Sequence, residues 1–335
     1  MKVLLTGATG FLGRTVARHL AARGHFLRVL ARPTSRLEGL PEGVEVAAGD
    51  VTDALSMACA VEGCEAVVHM AALVKIWVPD PERFESVNVA GLENALAAAR
   101  AARARLVYTS SFMALGPSGA GALDAERPHP GPPFRNRYEQ TKARADAVAR
   151  EAAAGGEDVV TLYPGVIYGP GDMTDGNIVA RMIADHLNGR LPGLVGPADR
   201  RWSYAFVEDV AEGHALALEK GRPGDRFVLG GENATLAQLF GLVREIAGVP
   251  PPRLRIPYVV ASALGRAQWL WAETTGHPPQ LTHGEVGVFR EEWACDSTRA
   301  ARELGYEWRP LVEGLRETVR WLRAQGLVPP GESAP

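Results

Sequence analysis

The chain has 335 residues, 46% of them hydrophobic, so it can bury a large core as one large domain or two closely associated ones. Its formal net charge of −3 gives no sign of a basic surface for nucleic acid or anionic lipid. The three cysteines, Cys59, Cys64 and Cys295, are too few and too poorly spaced for a disulfide framework or a metal cluster. We therefore expect a cytoplasmic protein with no metal site and no nucleic-acid partner.

No targeting or membrane-spanning segment is expected. The apolar run after Lys2 ends at Thr6, which is too short for a signal-peptide core, and no stretch approaches the roughly 20 apolar residues that span a bilayer. The most hydrophobic helix pattern covers 257–273, with Val260, Ala263, Leu264, Ala267, Leu270 and Trp271 on one face. We interpret this face as core or dimer packing; a membrane-surface or substrate-covering helix is the alternative.

The first half of the chain alternates short β-prone runs with amphipathic helical patterns, which is typical of βαβ units in a parallel sheet. The candidate strands, in chain order, are KVLLTG, FLRVLAR, VEVAAGD, AVVHMAA, RLVYTSS and VVTLYPG. The clearest helical pattern between them covers 80–104. This arrangement predicts an α/β fold with a doubly wound parallel sheet.

A second, smaller domain is expected after the stretch YPGVIYGPGD, where the regular alternation stops. The strand-like run 225–231 is predicted to return to the main sheet, so the two domains would be interleaved. We expect a dinucleotide-binding domain at 1–165 and 204–232, and a substrate domain at 166–203 and 233–330.

A loop rich in Gly and Pro, 116–137, joins the strand RLVYTSS to the helix that contains YEQTK. Long structureless loops in compact domains are often functional lids. We interpret this loop as a substrate lid with Glu126 as a polar contact, and an inert connection is the alternative.

The first strand is followed by a glycine pattern and an amphipathic helix. Gly7 permits a tight turn, Gly10 lets the backbone approach a pyrophosphate, and Gly13 allows close packing of helix and strand. The phosphates would lie on N–H groups at the helix N-terminus. The loop's further candidate contacts are Thr9, Phe11 and Leu12. A strand-to-helix turn without a ligand is the alternative.

The end of the second strand reads the adenosine ribose in nicotinamide-binding sheets, where a carboxylate favours NAD and an arginine accommodates the NADP phosphate. Here Arg32, Ser35 and Arg36 stand at that end without an acid, which predicts NADP(H), with NAD still possible. The alternative is two solvated arginines at a strand end. Asp50 and Val51 close the third strand near the expected adenine, although Asp50 could instead cap the following helix.

Ser110, Ser111, Tyr138 and Lys142 carry the predicted chemistry. RLVYTSS delivers the two serines to the carboxyl end of a buried strand, and the i, i+4 spacing places Tyr138 and Lys142 on one helix face. A neighbouring ammonium favours the phenolate, so Lys142 is expected to lower the pKa of Tyr138. Ser111 would hydrogen-bond the substrate oxygen. We predict Ser111, Tyr138 and Lys142 as the catalytic residues, and Tyr138 and Lys142 also as cofactor contacts, with Lys142 holding the ribose hydroxyls.

The order of these motifs resembles the extended short-chain dehydrogenase/reductase family, also called NAD-dependent epimerase/dehydratases. The resemblance covers nearly the whole chain and also rests on the stretches NVAGLENAL, YTSSFMALG, YPGVIYGPGD, FVEDVAEGHALALE and CDSTRAARELGYEWRP. It implies a Rossmann domain, a bound nicotinamide cofactor, Tyr138 as acid/base, Lys142 as its tuner and Ser111 as the donor to the substrate oxygen.

The same resemblance implies further positions around the cofactor and a homodimer built on helices 80–104 and 137–154. Asn88 would support the cofactor channel from behind, or else cap a helix. The implied cofactor neighbours are His69, Met70, Ala71, Ala72, Pro164, Gly165 and Val166.

Departures from the family pattern narrow the reaction. Family dehydratases carry a Thr-Asp-Glu type run after the active serine, whereas this chain has Phe112 and Met113 there. Family members that use nucleotide sugars commonly have a diphosphate-pairing arginine where this chain has Trp202. Arg201 is adjacent, but strand alternation would point it elsewhere.

The branch that this chain still resembles contains dihydroflavonol reductases, 3β-hydroxysteroid dehydrogenases and hopanoid-associated epimerases. The resemblance to this branch rests on the stretches SSFMALG, NRYEQTK and TTGHPPQLT. We predict an NADPH-dependent reductase that interconverts a ketone and a secondary alcohol on a small, fairly apolar substrate. The alternatives are a sugar 4-epimerase with tightly bound NAD and a non-catalytic NADP(H)-sensing protein. Aromatic candidates for the substrate pocket are Trp77, Phe112, Phe134, Tyr168, Trp202, Trp269 and Trp271.

Overall fold

Strands and helices alternate along most of the chain in the computed structural model, which describes residues 1–330. The strands are β1 (Lys2–Thr6), β2 (Phe26–Ala31), β3 (Glu45–Ala48), β4 (Ala66–His69), β5 (Arg105–Thr109), β6 (Val159–Pro164), β7 (Val166–Tyr168), β8 (Leu194–Val195), β9 (Arg201–Phe206), β10 (Arg226–Leu229), β11 (Glu232–Thr235) and β12 (Arg255–Ile256). The α-helices are α1 (Phe11–Ala22), α2 (Ala54–Val61), α3 (Glu82–Glu85), α4 (Gly91–Ala102), α5 (Arg137–Ala154), α6 (Ile178–Leu187), α7 (Val207–Lys220), α8 (Leu236–Ala247), α9 (Tyr258–Thr275), α10 (His283–Phe289), α11 (Thr298–Leu304) and α12 (Leu311–Ala324).

The main sheet has seven strands in the order β10-β6-β5-β4-β1-β2-β3, and all of its pairs are parallel. The strand order reverses between β1 and β4, which makes their carboxyl ends the topological switch point where ligands bind in open α/β sheets. The predicted α/β fold with a doubly wound parallel sheet is confirmed. The run predicted to return to this sheet does so, because Arg226–Leu229 pairs with β6.

The central strands are apolar on both faces because helices cover both sides of the sheet. Val3, Leu4 and Leu5 of β1 are fully buried. Helices α1 and α7 pack on one face, and α2, α4 and α5 pack on the other. Continuous apolar strands of this kind are expected where a parallel sheet is buried on both sides.

The second half of the chain builds a separate core beside the sheet's carboxyl edge. Strands β11, β9 and β7 form a three-stranded sheet, and β12 pairs with β8. A third apolar cluster joins β7, β8, β9 and β11 to helices α6, α8 and α12. This arrangement places side chains from β9 and α10 opposite the ends of β5 and β6.

Helix α9 differs from its expected packing. Its large apolar residues, including Val260, Leu264 and Trp271, are exposed, and only Ala261, Gly265 and Ala272 are buried. The interpretation of this face as core packing is therefore wrong. Within residues 1–330, no helix is both long enough and apolar enough to cross a membrane.

Candidate active site

A single cleft of about 590 Å³ runs along the carboxyl edge of the main sheet at the switch point. It brings together residues that are far apart in the chain. The predicted cofactor and catalytic residues on its walls are Gly7, Thr9, Gly10, Phe11, Leu12, Gly13, Arg32, Ser35, Asp50, Val51, Met70, Ala71, Ala72, Ser111, Tyr138, Lys142, Pro164, Gly165 and Val166.

The glycine loop between β1 and α1 has backbone geometry that side chains would block. Gly7 has φ +74°, and a Cβ there would lie 2.6 Å from the backbone nitrogen of Ala71. A Cβ on Gly13 would lie 2.1 Å from the carbonyl oxygen of Gly7. Gly10 caps α1 without a side-chain acceptor, so the N–H groups of the first helical turn have no side-chain partner, and the residues of this turn line the cleft. These features fit the pyrophosphate of a dinucleotide.

The ends of β2 and β3 form the far end of the cleft. The exposed Arg32 and the half-buried Ser35 line it, whereas Arg36 is exposed outside the lining. The Asp50 carboxylate accepts hydrogen bonds from the backbone and hydroxyl of Thr52 at 3.0 and 2.9 Å. Helix α2 is capped by Asp53, so the alternative role of Asp50 as the helix cap is wrong.

Ser111 and Tyr138 meet where β5 ends and α5 begins. Asn136 caps α5 by accepting a hydrogen bond from the Glu139 backbone at 2.8 Å, which sets the first helical turn beside the serine. The Ser111 hydroxyl accepts a hydrogen bond from the Met113 backbone at 3.2 Å. Burial raises the pKa of Tyr138 to about 12, and its hydrogen bond with Ser111 opposes this rise. At neutral pH the phenol is therefore protonated.

Lys142 lies one turn further along α5 and is almost fully buried. Its Nζ donates to the carbonyl oxygen of Thr109 at 2.9 Å and to the hydroxyl of Tyr108 at 3.4 Å. Burial lowers the pKa of Lys142 to about 7, and the carboxylate of Asp146 opposes this shift. The expected lowering of the Tyr138 pKa by Lys142 is not found, because burial dominates both groups.

Two buried histidines lie behind this centre. Nδ1 of His69 is 2.9 Å from the hydroxyl of Thr6, and burial followed by the nearby Lys142 lowers the His69 pKa to about 3. His69 does not line the cleft. Nε2 of His214 lies 2.9 Å from the side-chain hydroxyl of Thr109. The backbone carbonyl of the same Thr109 accepts the hydrogen bond from Nζ of Lys142. Both imidazoles are neutral near pH 7 because burial lowers their pKa values.

Asn88 lies in a π-helical turn, Ser86–Ala90, between α3 and α4. Its side-chain oxygen accepts from the Leu73 backbone at 2.7 Å, and its amide donates to the Thr141 hydroxyl at 3.0 Å. The side chain therefore links a cleft-lining segment to α5 from behind the cleft.

The predicted substrate residues divide into two groups. Phe112 and Trp202 line the cleft, and the Trp202 ring stacks on Phe289 with centroids 5.1 Å apart. Trp77 and Tyr168 lie outside the lining. The Trp77 indole donates to Glu273 at 2.7 Å, and the Tyr168 ring is buried edge-on to Phe206.

The other aromatic candidates also lie elsewhere. Phe134 packs against the His129 ring, and Trp269 and Trp271 are exposed on α9. No residue from 116 to 135 lines the cleft. Glu126 pairs with Arg226 and Arg299 instead of facing a substrate, so this geometry does not support the lid interpretation.

Sequence reasoning missed the wall contributed by α10. Glu285, Val288 and Phe289 line the cleft close to Tyr138. Burial raises the Glu285 pKa to about 6, and its carboxylate accepts a hydrogen bond from Asn136 at 3.2 Å. The helix follows TTGHPPQLT directly, but nothing local in its sequence indicates which faces meet the cleft.

The family model described as "NAD dependent epimerase/dehydratase family" matches residues 3–230. A Synechocystis protein with the provisional name dihydroflavonol 4-reductase is 31% identical, with 97% of this chain and 95% of that protein covered. A 2-alkyl-3-oxoalkanoate reductase of Stenotrophomonas maltophilia is also 31% identical, with 94% and 98% covered. The crystal structure of Thermus thermophilus UDP-glucose 4-epimerase in complex with NAD superposes with a TM-score of 0.75 at 27% identity, with 96% and 99% covered.

The chain therefore belongs to the NAD-dependent epimerase/dehydratase family. It is an NAD(P)-dependent oxidoreductase of the extended short-chain dehydrogenase/reductase type. The described residues bring together no group of three His, Cys, Asp or Glu side chains that could hold a metal ion.

Proposed function

We propose that this protein is an NADP(H)-dependent reductase that interconverts a ketone and a secondary alcohol on a small, fairly apolar molecule. The observation that carries the proposal is the wall beside Ser111 and Tyr138, where Phe112, Trp202 and Phe289 present aromatic surface. An apolar wall with a few polar groups at one end favours an apolar substrate held by one oxygen.

The geometry of β9 supports a substrate without a diphosphate. Trp202 occupies the position where nucleotide-sugar relatives commonly carry an arginine, and its ring faces the cleft. Arg201 alternates to the other side of the strand and pairs with Glu292 at 3.2 Å. The relative named above as a 2-alkyl-3-oxoalkanoate reductase has a ketone substrate with two alkyl chains and one carboxylate, which is largely apolar away from the carboxylate.

We assign the cofactor to the loop Gly7–Gly13, with its adenosine end at Arg32, Ser35, Asp50 and Val51. A bound nicotinamide supplies the hydride donor or acceptor. The exposed Arg32 guanidinium lines this end of the cleft, where it would pair with a ribose phosphate, and this favours NADP(H). Ala71, Ala72 and the segment Pro164–Val166 would border the nicotinamide end.

Tyr138 and Ser111 would handle the substrate oxygen. A phenol with a pKa near 12 is protonated at neutral pH and can donate its proton to the oxygen of a ketone as that oxygen gains charge. The Ser111 hydroxyl would hydrogen-bond the same oxygen and hold the carbonyl in place. Lys142, with a pKa near 7, can exchange a proton at neutral pH and would stabilise the phenolate that remains.

The test starts from cofactor-stripped protein titrated with NADPH and NADH by fluorescence, followed by a panel of alkyl ketones and nucleotide sugars. We expect tighter NADPH binding and NADPH oxidation that depends on an apolar ketone. Trp202→Ala should raise KM for the ketone and leave the NADPH dissociation constant unchanged, because Trp202 is assigned to the substrate wall.

A sugar 4-epimerase is the second candidate, and the NAD-bound epimerase structure of similar fold is the observation that favours it. Tight NADH binding, no net oxidation and epimerised sugar in the mixture would establish it. A non-catalytic NADP(H)-sensing role would be indicated by NADPH binding without turnover of any panel member.

We also propose the domain division, the homodimer and the cytoplasmic location expected above. The return of β10 to the main sheet supports the interleaved order of the domains, whereas β9 and β11 of the separate sheet cross the expected boundaries at 203/204 and 232/233. The family resemblance suggests that α4 and α5 form a four-helix dimer interface. Sedimentation velocity should show a dimer, and a monomer at micromolar concentration would contradict it.

A further inference from the structure

Helix α9 carries an apolar surface that the rest of the protein leaves uncovered. Val259, Val260, Leu264, Leu270 and Trp271 are between 48% and 77% exposed. A surface helix normally turns its large apolar residues inward, but here the inward side consists of small residues. A Cβ on Gly265 would lie 2.7 Å from the backbone of His283, so the helix backbone rests closely on the protein. Large exposed apolar patches of this kind mark interaction sites.

Three unpaired cations border this apolar surface. Arg253 and Arg255 precede α9, and Arg266 lies within it; all three are exposed. None of them makes an ion pair within residues 1–330, whereas Arg18, Arg144 and Arg299 on other helices do. Leu254, which is 57% exposed, extends the apolar surface between the first two arginines. The net charge of −3 concealed this local basic cluster, because charge sums carry no information on position.

The same surface adjoins the mouth of the cleft. Glu273 near the end of α9 accepts the hydrogen bond from Trp77, and the preceding segment 73–76 lines the cleft. Helix α10 is a second link between this surface and the cleft, because it packs against α9 and contributes Glu285 and Phe289 to the cleft wall. An apolar molecule held in a layer that covers α9 would therefore lie next to the cleft.

We propose that α9, with Arg253, Arg255 and Arg266, docks onto the surface of an anionic lipid bilayer. The helix of 18 residues would lie in the interface plane along about 27 Å, with its aliphatic side chains and Trp271 among the acyl chains. The arginines would meet lipid phosphates, which supply the missing counter-charge. Tryptophan is a preferred residue at this depth.

A second copy of the chain fits this surface less well. A two-fold interface places the same patch on both partners, so it would collect three unpaired arginines from each copy against the single carboxylate of Glu273 from each. The only acidic residue of α9, Glu273, is already hydrogen-bonded to Trp77. Anionic lipid headgroups carry the complementary charge.

The experiment is flotation of the full chain with two kinds of vesicle, one of pure phosphatidylcholine and one with a third of phosphatidylglycerol. We expect binding to the anionic vesicles, weaker binding to the neutral ones, and a blue shift of tryptophan emission on binding. Replacing Arg253 and Arg266 by Gln should lower the partition coefficient about fivefold for each residue. The double variant Leu264→Glu, Trp271→Glu should lower it about tenfold or more.

Leu55→Glu is the matched control for the single variant Leu264→Glu, because Leu55 is 71% exposed on α2 and each of the two variants adds one negative charge. This control should bind vesicles as the wild type does, and thermal melting should show that all variants fold. Wild-type protein that remains unbound with both vesicles overturns the proposal. The proposal is also overturned if the α9 variants bind vesicles as strongly as the wild type does. It is overturned as well if the protein binds no vesicles and sediments as a dimer that the double variant dissociates. NADPH binding and ketone reduction are measured separately, so either hypothesis can fail alone.

Discussion

The two ends of the cleft are built in different ways. The cofactor end consists mainly of backbone: the loop Gly7–Gly13, the ends of β2 and β3, and Ala71 after β4. The substrate end consists of side chains from separate segments, with Phe112 after β5, Trp202 on β9 and Phe289 on α10. At the cofactor end, neighbouring backbone segments must approach each other within a few ångströms. At the substrate end, the side chains have only to supply apolar surface.

This difference explains why the two ends leave different traces in the sequence. A Cβ atom on residue 13 would lie 2.1 Å from the carbonyl oxygen of Gly7, so only glycine fits at residue 13. An apolar wall accepts many side chains, so no single residue type at residue 289 is required. The following predictions test this contrast at the junction between the two ends, at the cofactor end and at the ribose end.

The largest effect is expected at the junction, for Tyr138→Phe. Loss of the proton donor should lower kcat for ketone reduction by about 10²–10⁴. The NADPH dissociation constant should change by at most about fivefold, because the phenyl ring is retained and the loss of one hydroxyl removes at most one hydrogen bond. Stopped-flow reduction and fluorescence titration give the two values.

Tyr204→Phe is the control for that variant. The Tyr204 hydroxyl is buried in the described structure without a hydrogen-bond partner, so its removal should leave kcat and stability nearly unchanged. Full activity of Tyr138→Phe would remove the catalytic assignment of Tyr138.

Lys142→Met tests the buried cation at the same junction. Lys142 has a pKa near 7 when folded and 10.5 as the ordinary value, so the unfolded chain binds more protons between these values. The contribution of Lys142 to the free energy of unfolding should therefore rise with pH from about 7 to about 10 and be constant below, with on the order of 1.4 kcal/mol for each unit of pKa difference. Urea unfolding without cofactor at several pH values measures this slope.

The slope should disappear in Lys142→Met and persist in Lys75→Met. Lys75 is half exposed and pairs with Asp175 at 2.6 Å, so it provides a lysine whose removal leaves the buried site intact. A slope that Lys142→Met leaves in place would show that another group titrates there.

Gly10→Ala tests the cofactor end. A Cβ at residue 10 would meet only the Gly7 carbonyl, at 3.3 Å, so the fold should survive. The methyl group would project where the pyrophosphate is expected, and we predict a rise of about tenfold or more in the NADPH dissociation constant. Gly241→Ala in α8, where a Cβ meets nothing within 4 Å, should leave binding unchanged. Equal binding by both variants would place the phosphates elsewhere.

The smallest effect is expected at the ribose end. Arg32→Ala should reduce the preference for NADPH over NADH by about tenfold, which is the loss expected for one hydrogen-bonded ion contact. Arg36→Ala should have little effect, because Arg36 lies outside the cleft lining. The dissociation constants of NADPH and NADH, measured for both variants, give this preference. If Arg36→Ala reduced the preference for NADPH more than Arg32→Ala does, the roles assigned to the two arginines would be exchanged.

The sequence allowed the fold class and the main strands to be predicted, because parallel strands buried on both faces are continuous apolar runs. It also indicated that Trp202 and Arg201 face opposite ways, since strand alternation is a local rule. It failed for Trp77 and Tyr168, because an aromatic residue has the same local pattern whether it lines a cleft or fills a core.

Sequence alone determined the parallel α/β architecture, the glycine loop and the Tyr138–Lys142 pair, because each depends on spacing or on steric limits within a few residues. Tertiary structure decided which arginine reaches the cleft, that Glu285 and Phe289 close the substrate end, and that burial raises the pKa of Tyr138. It also decided that the apolar face of α9 points outward. Burial depends on what distant segments cover, and periodicity records only which residues share a face.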